Sequence, residues 1–330
     1  MKDKKRKNVL LADFDCDDDW PFLLALKEKD EWTTFKKVSN RNHKGFFSNL
    51  KRVLSYFFVG LHFFNHRFNY NKIVAWQQFF GLFFCFFYRF FHSKNDNKVV
   101  ILTFIFKQKK GLFGRLYKKI IGYSLRAKCI VKICVLSRYE VDFYSNLFRI
   151  DSDMFYFTPI GINKKPLFDI KKGNYFLSAG RSNRDYQYLI DAFCRLFPDD
   201  SLVIVCDTFH PYILPPNVHV LSDCFGFDYE KMVAECFAVI ISLEDDPISS
   251  GQLVVEHSFV YKKPVIVTNN PGIVDYVENG VNGYVIEKND HDFYNAVKNV
   301  KNDIIYQRLY EACKPFDERS YALNVSNLFK

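Results

Sequence analysis

The chain has 330 residues, 48% of them hydrophobic and 25% charged, with a net charge of +9. So many apolar side chains exclude a predominantly disordered protein, and the length suits two domains of roughly 150 residues each. The nine cysteines are odd in number and form no C-x-x-C pair, which excludes a disulfide framework or a thiolate zinc site and fits a reduced, cytosolic protein.

The N-terminal MKDKKRKNVLLADFD sets cations before an apolar run, but the run soon ends in Asp13, Asp15, Asp17, Asp18 and Asp19. It therefore reads as a first strand and not as a signal peptide. An Asp-x-Asp after a first strand can hold a divalent cation, or serve a haloacid-dehalogenase-like phosphatase as nucleophile and acid. The lysines and acid pair such an enzyme needs stand in the wrong order here. A solvated acidic loop is the preferred reading, and no metal is expected.

From Phe46 to Phe64 apolar residues recur at three-four spacing, with Lys51 and Arg52 on the other side, which predicts an amphipathic helix. KIVAW then reads as a strand. The aromatic run after it, through Phe91, reads as a buried or interfacial helix, because Gln77, Gln78 and Arg89 leave it too short to span a bilayer. A second basic amphipathic helix carries Leu112, Phe113, Leu116, Ile120 and Ile121 beside Arg115, Lys118, Lys119 and Arg126. His43, His62, His66 and His92 lack metal-ligand spacing and read as packing or surface residues.

Between residues 32 and 139 there are 21 Lys and Arg against one acid, Asp96, so this segment carries +20 and the remainder −11. Such asymmetry implies an anionic partner. Basic helices with aromatic faces suit an anionic membrane surface, while no nucleic-acid-binding signature accompanies the charge, so no nucleic acid is expected.

Strands are predicted at Val9–Ala12, Ile73–Trp76, Val99–Phe104, Ile130–Leu136 and Met154–Thr158, with helices between them. After the polar segment GINKKPLFDIKKGN the pattern restarts, with strands at Tyr175–Ala179, Leu202–Cys206, Val218–Leu221, Val239–Leu243, Pro264–Val267 and Gly283–Ile286. Helices are expected around Tyr186–Leu196, Tyr229–Cys236, Gln252–Val260 and Asp290–Lys298. Alternation of this kind is the pattern of parallel α/β sheets. We expect two doubly wound domains, 1–165 and 166–314, facing each other across a ligand cleft, with 315–330 packing back on the first.

Two segments carry chemistry. Ser249, Ser250 and Gly251 precede the helix beginning near Gln252, whose start suits a phosphate, and Glu256 lies a turn further on, where a carboxylate suits two ribose hydroxyls. An ordinary serine cap and a solvent-facing glutamate are the bland alternative. In YFLSAGRSNRDYQYL a strand ends at Gly180, and Arg181 and Arg184 follow over the sheet edge, able to neutralise a diphosphate. Pairing of one arginine with Asp185 or Asp191 is the alternative there.

With Gly180–Arg181, SGQLVVE and KKPVIVTNNPGIVDYVENGVNGYVI, residues 173–290 resemble the retaining glycosyltransferases of family 4, which have the GT-B fold of two Rossmann-like domains. SRYEVDFY and TPIGI extend the resemblance more weakly into the first half. The resemblance implies transfer of a sugar from a UDP- or GDP-sugar to a lipid-linked or polysaccharide acceptor in bacterial capsule or lipopolysaccharide synthesis. The implied location is the cytoplasmic face of the membrane, held peripherally, and no cofactor or obligatory metal is implied.

Carried over by position, Arg181 and Arg184 would hold the diphosphate and stabilise the leaving group. Gly180, Ser249, Ser250, Gly251, Gln252 and Glu256 would bind the donor. The family's paired-glutamate motif places a first glutamate eight positions before the second, where this chain has Ile248. Sugar contacts would then come from Ser249–Gln252 or from Glu244, Asp245 and Asp246. That departure sustains an alternative, a catalytically silent nucleotide- or glycan-binding relative. On the acceptor side, Gln77 and Gln78 after KIVAW are the candidates.

Overall fold

The computed structural model describes residues 6–38 and 46–330, with the backbone alone at Phe46. His43 and the first five residues lie outside the described residues. The chain forms two compact units, one of Met1–Thr158 with Glu318–Lys330, the other of Pro159–Asp317.

The first unit alternates β1 (Lys7–Ala12), α1 (Pro21–Lys27), β2 (Trp32–Lys36), α2 (Phe46–Asn65), β3 (Tyr70–Ala75), α3 (Gln78–Phe90), β4 (Lys98–Ile101), α4 (Gly111–Ser124), β5 (Ile130–Val135), α5 (Arg138–Phe148) and β6 (Phe155–Phe157). Its six strands are all parallel in the order β2-β1-β3-β4-β5-β6. The inner strands are apolar runs such as KVVI, because helices cover both faces of a parallel sheet. β2 is the strand the apolar runs did not announce. It lies at the sheet edge, and its sequence WTTFK buries only Trp32 fully.

α3 is the buried aromatic helix, with Phe80, Phe84, Phe87 and Tyr88 in the core. α2 approaches it so closely that a Cβ on Gly60 would lie 2.4 Å from Phe83 Cβ, so only glycine fits there. The predicted stripe of α2, from Phe47 to Phe64, lies mostly on its exposed face, and only Phe64 of it is fully buried. Tyr56, Val59, Phe63 and Phe64 pack inward, while Phe47, Leu50, Val53, Leu54 and Phe58 are exposed. The stripe of α4 divides, with Ile121 and Leu125 buried and Leu112, Phe113 and Leu116 exposed. Among the described residues, no helix is long and apolar enough to cross a membrane. On the other side of the sheet α1 packs against α11 (Glu318–Asn327), where Trp20 Nε1 donates to Glu318 at 2.7 Å and Phe22 meets Tyr321.

The second unit continues with β7 (Tyr175–Ala179), α6 (Tyr186–Leu196), β8 (Ser201–Val205), β9 (Val218–Leu221), α7 (Phe227–Glu235), β10 (Ala238–Ile241), α8 (Gln252–Val260), β11 (Val265–Thr268), β12 (Gly283–Ile286), α9 (Asp290–Lys301) and α10 (Asp303–Ala312). Its six parallel strands run in the order β12-β11-β10-β7-β8-β9. The polar segment before β7 is an ordered strap on this unit. Lys164 pairs with Glu230, Leu167 N–H donates to the Tyr261 hydroxyl, and Lys171 N–H donates to Ala234 O.

Candidate functional site

In the second unit β7 hands the chain to Gly180, whose φ of +121° is a conformation open to glycine and strained for other residues. The missing side chain leaves room for Arg184 to fold back, since a Cβ there would lie 2.4 Å from Arg184 Nη2. Arg184 Nε donates to Ala179 O at 2.9 Å, and Nη1 to Ser182 O at 2.8 Å and Ser250 Oγ at 2.9 Å. Nη2 makes no hydrogen bond among the described residues and lies beside Gly251. No carboxylate is within ion-pair distance of this guanidinium among those residues, and burial draws its pKa below the ordinary value. A desolvated cation without a counter-ion favours an anion supplied from outside.

That anion would meet the start of α8. Its cap is Gly251, at φ +94°, with no side-chain hydrogen bond capping the helix, so the serine-cap alternative does not hold. The first intrahelical bonds, from Val254 and Val255 to Gly251 O, leave the Gln252 and Leu253 amides over for a ligand. Ser250 Oγ donates to Ser182 O at 2.7 Å and so ties the two loops together. Buried Gln252 is also a tie, its amide donating to Gly272 O. Ser249 is buried beside it, and Ile248 N–H donates to Asp246 Oδ1.

A cavity of about 400 Å3 opens at the carboxyl ends of β7 and β8, walled by Gly180, Arg181, Asp207, Phe225 and, from α8, Leu253, Val254 and His257. Arg181 crosses its rim, with Nε on Asp207 at 2.5 Å and the guanidinium 5.7 Å from the Phe225 ring centre. Its partner is thus Asp207 and neither Asp185 nor Asp191. Asp185 caps α6 through Tyr188 N–H and pairs with Lys288.

Glu256 is not in the cavity wall and does not face solvent. It is 3% exposed, and Oε2 accepts the Phe316 N–H at 2.7 Å on the flank of α8 that faces the end of this unit. Burial pushes its pKa up to about 7, against the pull of that hydrogen bond. The polar residue of α8 that faces the cavity is His257, with Nδ1 3.2 Å from Glu230 Oε1. Burial alone would raise the Glu230 pKa, but the nearby His257, Lys164 and Tyr261 outweigh it and hold the carboxyl at about 2.

Asp207, Phe225 and His257 escaped the sequence reading. The first two follow predicted strands at the sheet's carboxyl edge, where ligands of such sheets bind, and that rule could have found them.

In the first unit Gln77 accepts the Phe79 N–H as the cap of α3 and donates to Asp13. Gln78 holds both backbone groups of Ile105, each at 3.1 Å. Both amides are engaged as local ties. Among the described residues, no group of three His, Cys, Asp or Glu side chains could hold a metal ion.

Residues 173–303 match the family described as Glycosyl transferases group 1, so the second unit carries a glycosyltransferase domain. The two sheets with their flanking helices are the α/β architecture of the GT-B glycosyltransferases. Anabaena Alr3699/HepE, solved in complex with UDP, superposes with a TM-score of 0.62 at 14% identity over 98% of this chain and 99% of that one. WaaG, a glycosyltransferase involved in lipopolysaccharide biosynthesis, gives 0.63 at 13% identity over 97% and 99%. Sucrose-phosphate synthase from Thermosynechococcus elongatus gives 0.68 at 12% identity over 98% of each chain. No curated protein matches the sequence.

Proposed function

We propose that this protein transfers a sugar from a UDP- or GDP-sugar to a lipid-linked or polysaccharide acceptor in bacterial surface glycan synthesis, as a retaining enzyme of the family 4 type. The observation that carries the reading is Arg184, held between Gly180 and the uncapped start of α8 with one guanidinium nitrogen unbonded. A donor diphosphate accepting from Nη2 and from the Gln252 and Leu253 amides would have its developing charge met by fixed dipoles. The departing phosphate would take the proton of the attacking hydroxyl on the same face, so no side-chain nucleophile is needed.

In this reading the base occupies the cavity beside α8, and the ribose lies outside it toward Glu256. Oε1 of Glu256 is the atom that remains for ribose hydroxyls, Oε2 being held by Phe316. The first unit would take the acceptor and lie against an anionic, cytoplasmic membrane face through the exposed apolar and basic residues of α2 and α4. Binding of UDP, GDP and their sugar conjugates tests the donor site, with Glu256→Ala, Arg184→Ala as control. Binding lost in the control variant supports the reading, and no binding by folded wild type sinks it.

A second reading, a silent nucleotide-binding relative, is favoured by Ile248 and by the occupation of Arg181 by Asp207. It predicts binding of the same nucleotides without transfer to any acceptor.

A further inference from the structure

At the far end of the first unit's helical layer lies a second cavity, of about 670 Å3, that belongs to no part of the site above. Six cations wall it: Arg89 from the last turn of α3, Arg115, Lys118 and Lys119 from α4, Arg126 just beyond α4, and Arg149 capping α5. Its wall contains no acidic residue, and none of the six pairs with a carboxylate among the described residues. An adjoining cavity that shares Lys118 and Arg149 does contain one, Asp142.

Three of the six stand where helices end, and helix dipoles attract cations there. Each terminus carries roughly half a negative charge, so three offset about −1.5 against +6. Dipoles account for Arg89, Arg126 and Arg149 but leave Arg115, Lys118 and Lys119 without compensation. Two of the arginines are also set in place. Arg89 donates to Arg126 O at 3.0 Å with its plane over the Tyr123 ring, and Arg126 donates to Gly122 O at 2.6 Å and to Phe148 O. Carbonyls, not carboxylates, hold them, so their charge is not cancelled and most of their N–H groups remain to be used. Gly122 permits this packing, since a Cβ there would press on both Arg126 and Phe148.

The geometry points to a binding site for a ligand bearing two or more phosphate groups, at the amino end of the strands and so away from the carboxyl edge where a parallel sheet binds its substrate. One phosphate would leave most of the charge unmatched, and guanidinium forks favour bidentate phosphate contacts. The phosphates could be those of anionic lipid headgroups or of a soluble polyphosphate. This inference does not rest on the donor site. It also goes beyond the general membrane contact proposed above, because it assigns the charge to one concave place.

The test compares wild type with Arg115→Gln, Lys118→Gln, Lys119→Gln and with Lys51→Gln, Lys94→Gln, Lys107→Gln, which removes the same charge from exposed positions elsewhere in the unit. One arm titrates inorganic pyrophosphate, and the other sediments the proteins with 1:1 phosphatidylglycerol–phosphatidylcholine vesicles. We expect at least one ligand to bind wild type and to lose about tenfold or more affinity in the cavity variant relative to the control variant. Pyrophosphate binding assigns a soluble source, and vesicle binding without it assigns headgroups. Equal losses in the two variants overturn the cavity while leaving a diffuse membrane contact intact, and no binding of either ligand overturns it outright. If the triple variant does not fold, as judged by its melting curve, the exposed single change Arg115→Gln takes its place.

Discussion

Both units are built on six parallel strands, in different orders, and their helices treat charge differently. In the second unit cations find carboxylates: Lys171 with Glu235, Arg195 with Asp290, Lys288 with Asp185 and Lys301 with Asp200. Arg184 has no such partner and stands at the sheet's carboxyl edge, whereas buried Lys263, which also lacks one, spends its ammonium on the Lys171 and Cys236 carbonyls. In the first unit Arg6, Lys72 and Arg319 do pair with Asp96, Asp30 and Glu28, but the helices α2, α3 and α4 carry cations without a single acid, and exposed phenylalanines accompany them. A neutralised scaffold makes one bare guanidinium selective. A helical face whose cations are left bare together serves attraction more than selection.

The largest break in this comparison is Arg184→Ala. Removing the one uncompensated cation from a preorganised phosphate site should lower turnover by about 10²–10³-fold. Its melting temperature should move only a few degrees, because loss of the hydrogen bonds to Ala179, Ser182 and Ser250 is offset by removal of a desolvated, unpaired charge. A transfer assay alongside thermal melting checks both. In the first unit the matching change is Phe47→Ala, Phe113→Ala. These rings are 83% and 86% exposed, so folding stability should move by less than about 0.5 kcal/mol. Partition onto anionic vesicles should fall about a hundredfold if each ring enters the lipid. An unchanged partition would remove α2 and α4 from the membrane contact.

Much of the second unit is legible in the chain. The strands Tyr175–Ala179 and Val218–Leu221 and the helices Tyr186–Leu196 and Gln252–Val260 lie where their apolar patterns put them, since each is bounded by Gly, Asp or Pro signals. Edge strand β2 was not legible, because an edge position tolerates Thr and Lys where a buried strand would need apolar residues. The site was half legible. Gly180 and Arg184 meet the start of α8 because their loops leave adjacent parallel strands, which strand order implies. The orientation of Glu256 depends on Phe316, sixty residues later in the chain, and no local pattern carries that. Likewise Gln77 and Gln78 are exposed to choice in the sequence but committed in the fold, to Asp13 and Ile105.

Glu256 therefore gives the next test. Its folded pKa of about 7 stands above the ordinary 4.5 because burial disfavours the carboxylate. The folded state then holds its proton more tightly than the unfolded state. The stability this contributes is complete below pH 4.5 and is lost as pH rises through 7, a total on the order of 3 kcal/mol. Glu256→Gln should flatten that part of the stability curve and leave the variant more stable than wild type at pH 8, by urea denaturation. The same variant should bind UDP or GDP more weakly if the carboxylate also receives ribose. A flat wild-type curve would mean the carboxyl is solvated and the packing around Phe316 is looser than described.

The smallest effect, and the one that separates the two functional readings, concerns Arg181 and Asp207. Arg181 is exposed, so their ion pair contributes little to folding, and Asp207→Asn should change stability by less than about 1 kcal/mol. What it changes is the competition for the guanidinium. If Arg181 serves the donor diphosphate it must leave Asp207 to do so, and weakening that pair should raise affinity for UDP or GDP a few-fold, roughly the worth of one exposed pair. If Arg181 only braces the cavity rim, releasing it loosens Phe225 and affinity should fall instead. The sign of the change in Kd, measured calorimetrically at fixed ionic strength, thus decides whether the second unit holds one bare cation for phosphate or two.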